Sequence, residues 1–134
     1  MARQTDTTPD GLVTKRSAHG VDETIERLTT ALTAKSVTIF AIIDHSGEAA
    51  RVGLTMPDTK VVIFGDPRAG TPIMQASPPA ALDLPLRVLV TSDGDDTVVR
   101  YTDPLWFASR YGLDPELAGN LAVIDALTDA ATAP

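Results

Sequence analysis

The sequence predicts an α+β domain built as a two-layer sandwich, in which helices cover one face of a mixed sheet of about five strands. Segments with apolar residues at helical spacing alternate with short runs rich in β-branched residues. The helical segments differ widely in length, which favours an α+β sandwich over a doubly wound sheet. One strand is apolar on both sides, so we expect a dimer partner to cover part of the second sheet face.

Chain length and composition predict a single folded domain. A chain of 134 residues has the size of one domain, and its 43% apolar and 22% charged residues are typical of globular proteins. The segments at both ends are polar or small and have little to bury. Residues 1–10 are therefore predicted to be a disordered tail and residues 130–134 a frayed end, with the domain at residues 11–129.

Charge and residue content exclude several classes of function. The net charge is −7 and the basic residues are scattered, which argues against nucleic acid as a partner. The chain has no cysteine, so disulfides, thiolate nucleophiles and cysteine metal sites are excluded. It also shows no signal peptide and no apolar run of the ~20 residues that a membrane span needs. We therefore expect a cytoplasmic protein without a membrane partner.

The first half of the domain is predicted to form a strand, a helix and a second strand. Residues 12–17 are a short strand candidate. An amphipathic helix is predicted over residues 22–35, because four apolar side chains fall on one helical stripe, namely Val21, Ile25, Leu28 and Leu32. Residues 37–43 are apolar except for Thr38 and rich in β-branched residues, so they form a strand buried on both faces.

Short elements are predicted to follow this strand. Ser46 can cap a short helix that runs to residue 51, and residues 60–64 form the third strand. Thr71 followed by Pro72 matches an N-cap with proline at the first helical position. A helix of one or two turns is therefore predicted from residue 72 to residue 76.

The C-terminal part is predicted to form a hairpin and two helices. Residues 84–90 and 97–101 flank a turn that holds a glycine among aspartates, which indicates a hairpin. Asp103-Pro104 and Asp114-Pro115 each match a helix N-cap followed by proline. The second of these helices carries a stripe made of Leu117, Leu121, Ile124 and either Leu127 or Thr128.

His45 is the first candidate for a functional residue. It follows Asp44 at the end of the apolar strand, where ligand sites on such sheets often form. Histidine suits proton transfer or metal ligation because it titrates near neutral pH. The alternative is a structural role in which His45 binds a nearby backbone group and fixes the turn.

The segment from residue 65 to residue 72 is a second candidate. It lies between a strand and a predicted helix start, so backbone N–H groups near Gly70 and Thr71 could receive an anion beside Arg68. Its spacing matches neither the dinucleotide-binding fingerprint nor the Walker loop. A tight turn with a helix cap explains the same residues.

Four further polar or soft residues could belong to a site. Asp83 is a carboxylate among apolar residues just before a strand, and Tyr101 could supply a hydroxyl at a sheet edge. Met56 and Met74 could ligate a metal or haem beside His45, but methionine is more often core filler. Two histidines and no cysteine argue against a dedicated zinc site, so no cofactor is predicted.

A set of short motifs in one order identifies a family resemblance. The motifs are Asp44-His45, Phe64-Gly65-Asp66-Pro67, Gly70-Thr71-Pro72, Asp83-Leu84-Pro85-Leu86 and Tyr101-Thr102-Asp103-Pro104. With them the chain resembles domain of unknown function family 302 over residues 11–113. The resemblance implies a compact α+β fold, frequent dimerisation and no established activity. It also implies that His45, the 65–72 loop and Asp83 recur together in relatives, so we expect them to share one pocket.

The chain departs from the family pattern at two positions. Asparagine is commoner in the family where this chain has Asp66, and glycine often ends the first helix where this chain has Ser36. The first departure makes the 65–72 loop more acidic and weakens the case for anion binding.

These observations predict a dimeric domain that binds a small ligand near His45, the 65–72 loop and Asp83. We expect Asp44, Gly70, Thr71 and Tyr101 to contact that ligand. One alternative is an enzyme in which His45 is the general acid or base and Asp83 orients it. Others are haem or metal binding through His45 and a purely structural interaction domain.

Overall fold

The computed structural model describes residues 5–134 and shows an α+β fold. Its strands are β1 (Thr5–Thr7), β2 (Leu12–Ser17), β3 (Thr38–Asp44), β4 (Thr59–Gly65), β5 (Leu86–Asp93) and β6 (Asp96–Thr102). Its helices are α1 (Val21–Ala34), α2 (His45–Arg51), α3 (Pro67–Ala76), α4 (Pro104–Arg110), α5 (Pro115–Ala118) and α6 (Val123–Thr132). Two 3₁₀ segments lie at Pro78–Asp83 and Gly119–Leu121.

The strands form one antiparallel sheet in the order β1-β2-β6-β5-β4-β3. The α+β class is confirmed, but the mixed sheet of about five strands is corrected to six antiparallel strands. The connections explain the difference. The chain between β3 and β4 stays at one end of the sheet, as Asp44 lies opposite Lys60, and the chain between β4 and β5 stays at the other. A parallel neighbour would need a connection that crosses the whole sheet.

The sixth strand comes from the segment predicted to be a disordered tail. Thr5–Thr7 pairs with β2, where Thr7 lies opposite Val13. All three residues of β1 are exposed, so backbone hydrogen bonds hold this strand without side-chain burial. The apolar pattern of the sequence therefore gave no sign of it. Residues 1–4 of the predicted tail lie outside the described residues.

Helices α1 and α6 pack side by side on one face of the sheet, which we call the inner face. The predicted helix stripe of Val21, Ile25, Leu28 and Leu32 is buried, and it meets a core contributed by the sheet and by α6: Val13, Val62, Phe64, Val88, Val90, Val99, Ile124 and Leu127. Burial of this apolar surface is the main stabilising contribution to the fold. The inner face is therefore a dry layer between sheet and helices.

A second apolar cluster lies where β4 ends and β5 begins, which we call the α3 end of the sheet. It joins α3, α4, α5 and both 3₁₀ segments through Ile73, Ala80, Phe107, Ala108, Leu113, Ala118 and Leu121. Leu86 at the start of β5 packs against both clusters. The opposite end, where β3 ends and β4 begins, carries α2 and is called the α2 end.

The last predicted helix is divided in the structure. Helix α5 is followed by the 3₁₀ segment Gly119–Leu121 and then by α6, because Gly119 and Asn120 are poor helix formers. The division sends Leu121 into the cluster at the α3 end and Ile124 into the inner-face core.

The C-terminus is ordered where the sequence predicts a frayed end. Helix α6 continues to Thr132, which is buried. The N–H of Ala18 donates to the Thr132 carbonyl at 2.9 Å, and His19 Nε2 lies 2.6 Å from the Ala133 carbonyl oxygen. Small residues at this end leave room for close backbone contacts, which composition alone does not show.

The opposite sheet face, called the outer face, exposes apolar residues. Ala41 and Ile43 are exposed, and their neighbours Val61, Ile63 and Leu89 are half-buried. Within residues 5–134, no helix is long and apolar enough to cross a lipid bilayer.

Candidate functional site

His45 lies at the α2 end of the sheet, as the first residue of α2, and is exposed. Asp44 caps this helix: its Oδ1 accepts hydrogen bonds from Ser46 Oγ at 2.7 Å and from the Gly47 N–H at 2.9 Å. The hydrogen bond from Ser46, followed by that from Gly47, lowers the pKa of the Asp44 carboxyl. Asp44 therefore fixes the strand-to-helix turn.

The structure separates His45 from the other predicted site residues. Gly70, Thr71 and Asp83 lie at the α3 end, whereas His45 lies at the α2 end. The two ends are one strand apart, which for seven residues is about 20 Å. The prediction of a single pocket shared by His45, the 65–72 loop and Asp83 is therefore wrong, and so is the pairing of His45 with Asp83. The reason is that β3 and β4 are antiparallel, so the residues that follow β3 and those that follow β4 lie at opposite ends of the sheet.

Tyr101 is a core residue of the inner face. Its side chain is buried, and its hydroxyl donates to the Asp125 carboxylate on α6. Burial, and then this hydrogen bond, raise the pKa of the Tyr101 hydroxyl. The predicted ligand contact for Tyr101 is replaced by a structural hydrogen bond to α6.

Gly70 and Thr71 line a cavity of about 220 Å³ at the α3 end, which we call the apolar pocket. Its walls come from the start of β3, the end of β4, α3, the start of β5, the second 3₁₀ segment and the beginning of α6. The side chains that form most of its surface are Val37, Phe40, Phe64, Met74, Leu84, Pro85, Leu86, Leu121 and Val123. The pocket is thus a cleft between the two apolar clusters of the fold.

Two local features of the backbone shape this pocket. The pairing of β3 with β4 shifts register between Ile39 and Ala41, so Phe40 forms a β-bulge without a pairing partner on β4. Its side chain lies at the pocket wall. Gly70 lies inside α3 without strain, and a Cβ there would sit 3.9 Å from Met74 Cε and 4.0 Å from Leu84 Cδ1. The absence of a side chain at Gly70 therefore leaves part of the cavity open.

The polar edge of the pocket carries little free charge. Asp66 caps α3, and its carboxylate binds the Arg68 N–H and guanidinium at 3.0 Å each. These contacts, led by the side-chain hydrogen bond from Arg68, lower the pKa of Asp66. Because Arg68 is already paired, the anion site predicted near Thr71 lacks its cation.

Helix α3 begins at Pro67, five residues before the start that Thr71-Pro72 predicts. Asp66-Pro67 supplies the cap and first position, and Pro72 lies inside the helix. The N–H of Thr71 is therefore not at a helix N-terminus. Both dipeptides match the same cap pattern, and the one that directly follows the strand is used.

Asp83 lies in a different cavity, of about 240 Å³, which we call the arginine pocket. Its carboxylate accepts a hydrogen bond from the Tyr111 hydroxyl, which raises the pKa of that hydroxyl. It also lies 3.4 Å from Arg110 Nε and 3.7 Å from Arg87 Nη2. The carboxylate is therefore surrounded by donors and faces no imidazole.

The family motifs contain most of the residues that line the apolar pocket. These are Phe64, Gly65, Asp66, Pro67, Gly70, Thr71, Leu84, Pro85 and Leu86. Sequence reasoning missed five other lining residues, namely Val37, Phe40, Asn120, Leu121 and Val123. They meet the motif residues only because distant segments pack at the same sheet end.

The fold and these motifs agree with a known family. A family model described as domain of unknown function DUF302 matches residues 13–132, nearly the whole chain. The chain belongs to this family. The match confirms the resemblance drawn from the ordered motifs and extends it through α6.

A solved structure and curated relatives were also found. The crystal structure of an uncharacterized conserved DUF302 protein from Bacillus stearothermophilus has a TM-score of 0.76 and 19% identity, and the match covers 91% of this chain and 95% of that one. This likeness shows the DUF302 fold.

Two relatives called fluoride-specific ion channel FluC 1, from Brucella suis biovar 1 and Brucella abortus biovar 1, are each 38% identical over 123 residues. The match covers 91% of this chain but only 48% and 45% of those relatives, so the chain spans about half of their length.

Proposed function

We propose that this DUF302 chain is a small-ligand-binding domain and that the apolar pocket is its site. The observation that carries the proposal is an apolar cavity of about 220 Å³, part of which stays open because Gly70 of α3 has no side chain. A glycine within a helix costs ~0.5–1 kcal/mol relative to alanine, and an alanine Cβ would meet only ordinary contacts here. Keeping the space open thus lowers stability, which supports a role in binding.

The walls indicate the chemistry of the ligand. Aliphatic and aromatic side chains cover the pocket, and the polar groups at its edge include Thr71 and Asn120. Asn120 Nδ2 donates weakly to the Ala69 carbonyl at 3.4 Å. We therefore propose a compact neutral molecule, mostly apolar, with one or two hydrogen-bonding groups. His45 and Asp83 take no part in this site.

Methyl NMR provides a test because Met74 Cε lies at the pocket, whereas Met56 lies at the α2 end. We expect benzyl alcohol, used as a probe, to shift the Met74 methyl resonance with saturation and to leave the Met56 methyl unchanged. Gly70→Leu should abolish the shift because its side chain fills the cavity. Gly119→Leu is the matched control, since nothing lies within 4 Å of a Cβ at that position.

The proposal fails if a panel of small neutral alcohols, ketones and aromatics leaves the Met74 methyl unmoved. It also fails if Gly70→Leu binds the probe as well as the unchanged chain. Circular dichroism and a thermal unfolding curve establish that each variant is folded before the titration.

We further propose that the chain forms a homodimer through the outer face. Ile43 is 38% exposed on the edge strand β3, beside Ala41 and the half-buried Val61 and Ile63. Two such faces can pack as a sandwich at ~10 Å separation. Contiguous apolar surface of this kind is typical of interfaces.

Sedimentation velocity tests the dimer with a pair of adjacent variants. Ile43→Lys should give a monomer because it places a charge on the outer face. Ile42→Lys is the matched control, since Ile42 is 47% exposed but lies opposite the buried Val62 and therefore points to the inner side. A dimer that survives Ile43→Lys, or an unchanged chain that sediments as a monomer, contradicts the proposal.

A second candidate function is an accessory role beside a fluoride channel. The 38% identity to about half of proteins called fluoride-specific ion channel favours it. The test removes the matching half from the Brucella suis relative and measures fluoride efflux from vesicles, with this chain then added separately. Unchanged efflux in the truncated protein argues against the idea.

The enzyme, haem and metal alternatives at His45 stay predictions. His45 is exposed, and the carboxylate of its neighbour Asp44 is engaged in capping α2. Among the described residues, no group of three potential metal ligands is placed to hold an ion. The cytoplasmic location and the absence of nucleic-acid partners stay predictions.

A further inference from the structure

We infer that the arginine pocket is a second ligand site, which binds a small organic oxyanion with an apolar tail. It is independent of the proposed function, although Leu86 and Leu121 form a common wall between the two pockets. The floor of the arginine pocket includes the buried residues Phe107 and Ile124.

The rim of this pocket carries more positive than negative charge. Arg87 and Arg110 share the single carboxylate of Asp83, at 3.7 Å and 3.4 Å. Both distances exceed the ~2.7–2.9 Å of charge-assisted hydrogen bonds, so these ion pairs are loose. The Tyr111 hydroxyl occupies Asp83 Oδ2. Arg87, Arg110 and Asp83 together therefore carry one net positive charge. The chain as a whole has a net charge of −7.

Aromatic rings hold one of the two guanidinium groups in place. The Arg110 guanidinium carbon lies 5.8 Å from the centre of the Trp106 ring and 5.4 Å from that of Tyr111. Such ring contacts help to orient the guanidinium, and a side-chain hydrogen bond between Arg110 and Tyr111 uses part of its set of N–H donors. Each arginine has five N–H donors in a planar fork that matches a carboxylate or phosphate. Both side chains are about half exposed, so an anion can reach them.

The two parts of the pocket together define the ligand class. An oxyanion head group fits the arginine rim, while the apolar floor accepts a short hydrocarbon tail. A cavity of about 240 Å³ holds both parts of a molecule as small as hexanoate. Carboxylate and phosphate share the chemistry of the head group, and the experiment separates them by comparing hexanoate with hexyl phosphate. An inorganic anion would use the rim alone.

Trp106 is the only tryptophan of the chain and lines this pocket, so its fluorescence reports on binding. We expect hexanoate or hexyl phosphate, whichever head group is preferred, to change the Trp106 emission with saturation. Acetate and inorganic phosphate should bind at least ~tenfold more weakly because they lack the tail, and hexanamide because it lacks the charge. The Met74 methyl should not move, which distinguishes this site from the apolar pocket.

Substitutions at the rim test the charge argument in both directions. Arg87→Gln should weaken binding by about tenfold, and Asp83→Asn should tighten it because a competing carboxylate is removed. Arg51→Gln is the matched control, as Arg51 is an exposed arginine paired with Glu48 on α2. Calorimetry replaces fluorescence for Arg110→Gln, since that change alters the surroundings of Trp106 directly.

Three results would overturn the inference. Binding of hexanamide as tight as that of hexanoate would show that the pocket is a neutral apolar cleft. Arg87→Gln and Arg110→Gln, both shown to be folded by circular dichroism, would contradict it by binding hexanoate and hexyl phosphate unchanged. The absence of saturable binding of both anions, in fluorescence and in calorimetry, would contradict it as well.

Discussion

Lys15 Nζ lies 2.9 Å from Asp129 Oδ1, and this ion pair joins strand β2 to helix α6. Lys15 is only 4% exposed, on the inner face of the sheet. Its ammonium group also donates to the Asp125 carbonyl at 3.0 Å and to Thr128 Oγ1 at 2.7 Å. A buried ammonium group is tolerated when its hydrogen bonds are satisfied, and here α6 supplies all of these acceptors.

Replacing this lysine should therefore loosen α6. We expect Lys15→Ala to lower the free energy of unfolding by about 3 kcal/mol, because buried acceptors lose their donor and a cavity remains. Urea denaturation measures the change. Lys35→Ala is the control, since Lys35 is exposed at the end of α1 and its loss should change stability by less than ~0.5 kcal/mol. Equal effects of the two variants would contradict the role assigned to Lys15.

Ser36 is the position at which a glycine should stabilise the chain. Its φ is 57°, and it follows α1 in a turn where Val37 N–H donates to the Leu32 carbonyl and Ser36 N–H to that of Thr33. This is a Schellman motif, whose left-handed residue favours glycine. We expect Ser36→Gly to raise the free energy of unfolding by ~1 kcal/mol, and Ser36→Val to lower it. A urea midpoint that falls in Ser36→Gly would contradict this reading of the turn.

Gly11 cannot accept a side chain. Its φ is 82°, and a Cβ at this position would overlap the ring of Trp106. We expect Gly11→Ala to cost about 3 kcal/mol of stability and to shift the Trp106 emission, because the ring has to move. Gly94→Ala is the control, since it has the same strained backbone with φ 61° but open space around its Cβ. A Gly11→Ala variant no less stable than Gly94→Ala would refute the packing argument.

The carboxyl of Asp44 should titrate below its ordinary pKa of 3.8, because Ser46 and then Gly47 donate to its charged form. A pKa lowered in the folded state stabilises the fold above the unfolded pKa, and this contribution is lost as the pH falls through the folded value. We expect Ser46→Ala to raise the Asp44 pKa toward its ordinary value, measured by NMR titration of the carboxyl carbon. Ser109→Ala, an exposed change on α4, should leave the Asp44 titration unaltered.

Sequence patterns predicted the local elements closely where neighbouring residues determine them. Helix α1 and strand β3 lie within one residue of their predicted bounds. The Asp103-Pro104 and Asp114-Pro115 pairs begin helices as expected. Each of these signals depends on residues a few positions apart, so no distant contact is needed to interpret them.

Contacts between distant segments decided what these patterns left open. Strand β1 has no buried side chain, and the end of α6 is held by backbone atoms of residues near β2, so neither had an apolar signal. The end of α6 depends on a hydrogen bond to Ala18, far away in sequence, whereas β1 depends on backbone pairing with β2, which follows it directly in the chain.

The sequence by itself determined the family, the α+β class and the placement of His45 at the end of a strand. Only the tertiary structure decided that His45 lies at the α2 end, while Gly70 and Asp83 lie at the α3 end in two different pockets. The reason is that side-chain pattern specifies a strand but not the direction of its neighbours. In an antiparallel sheet that direction determines which strand ends meet.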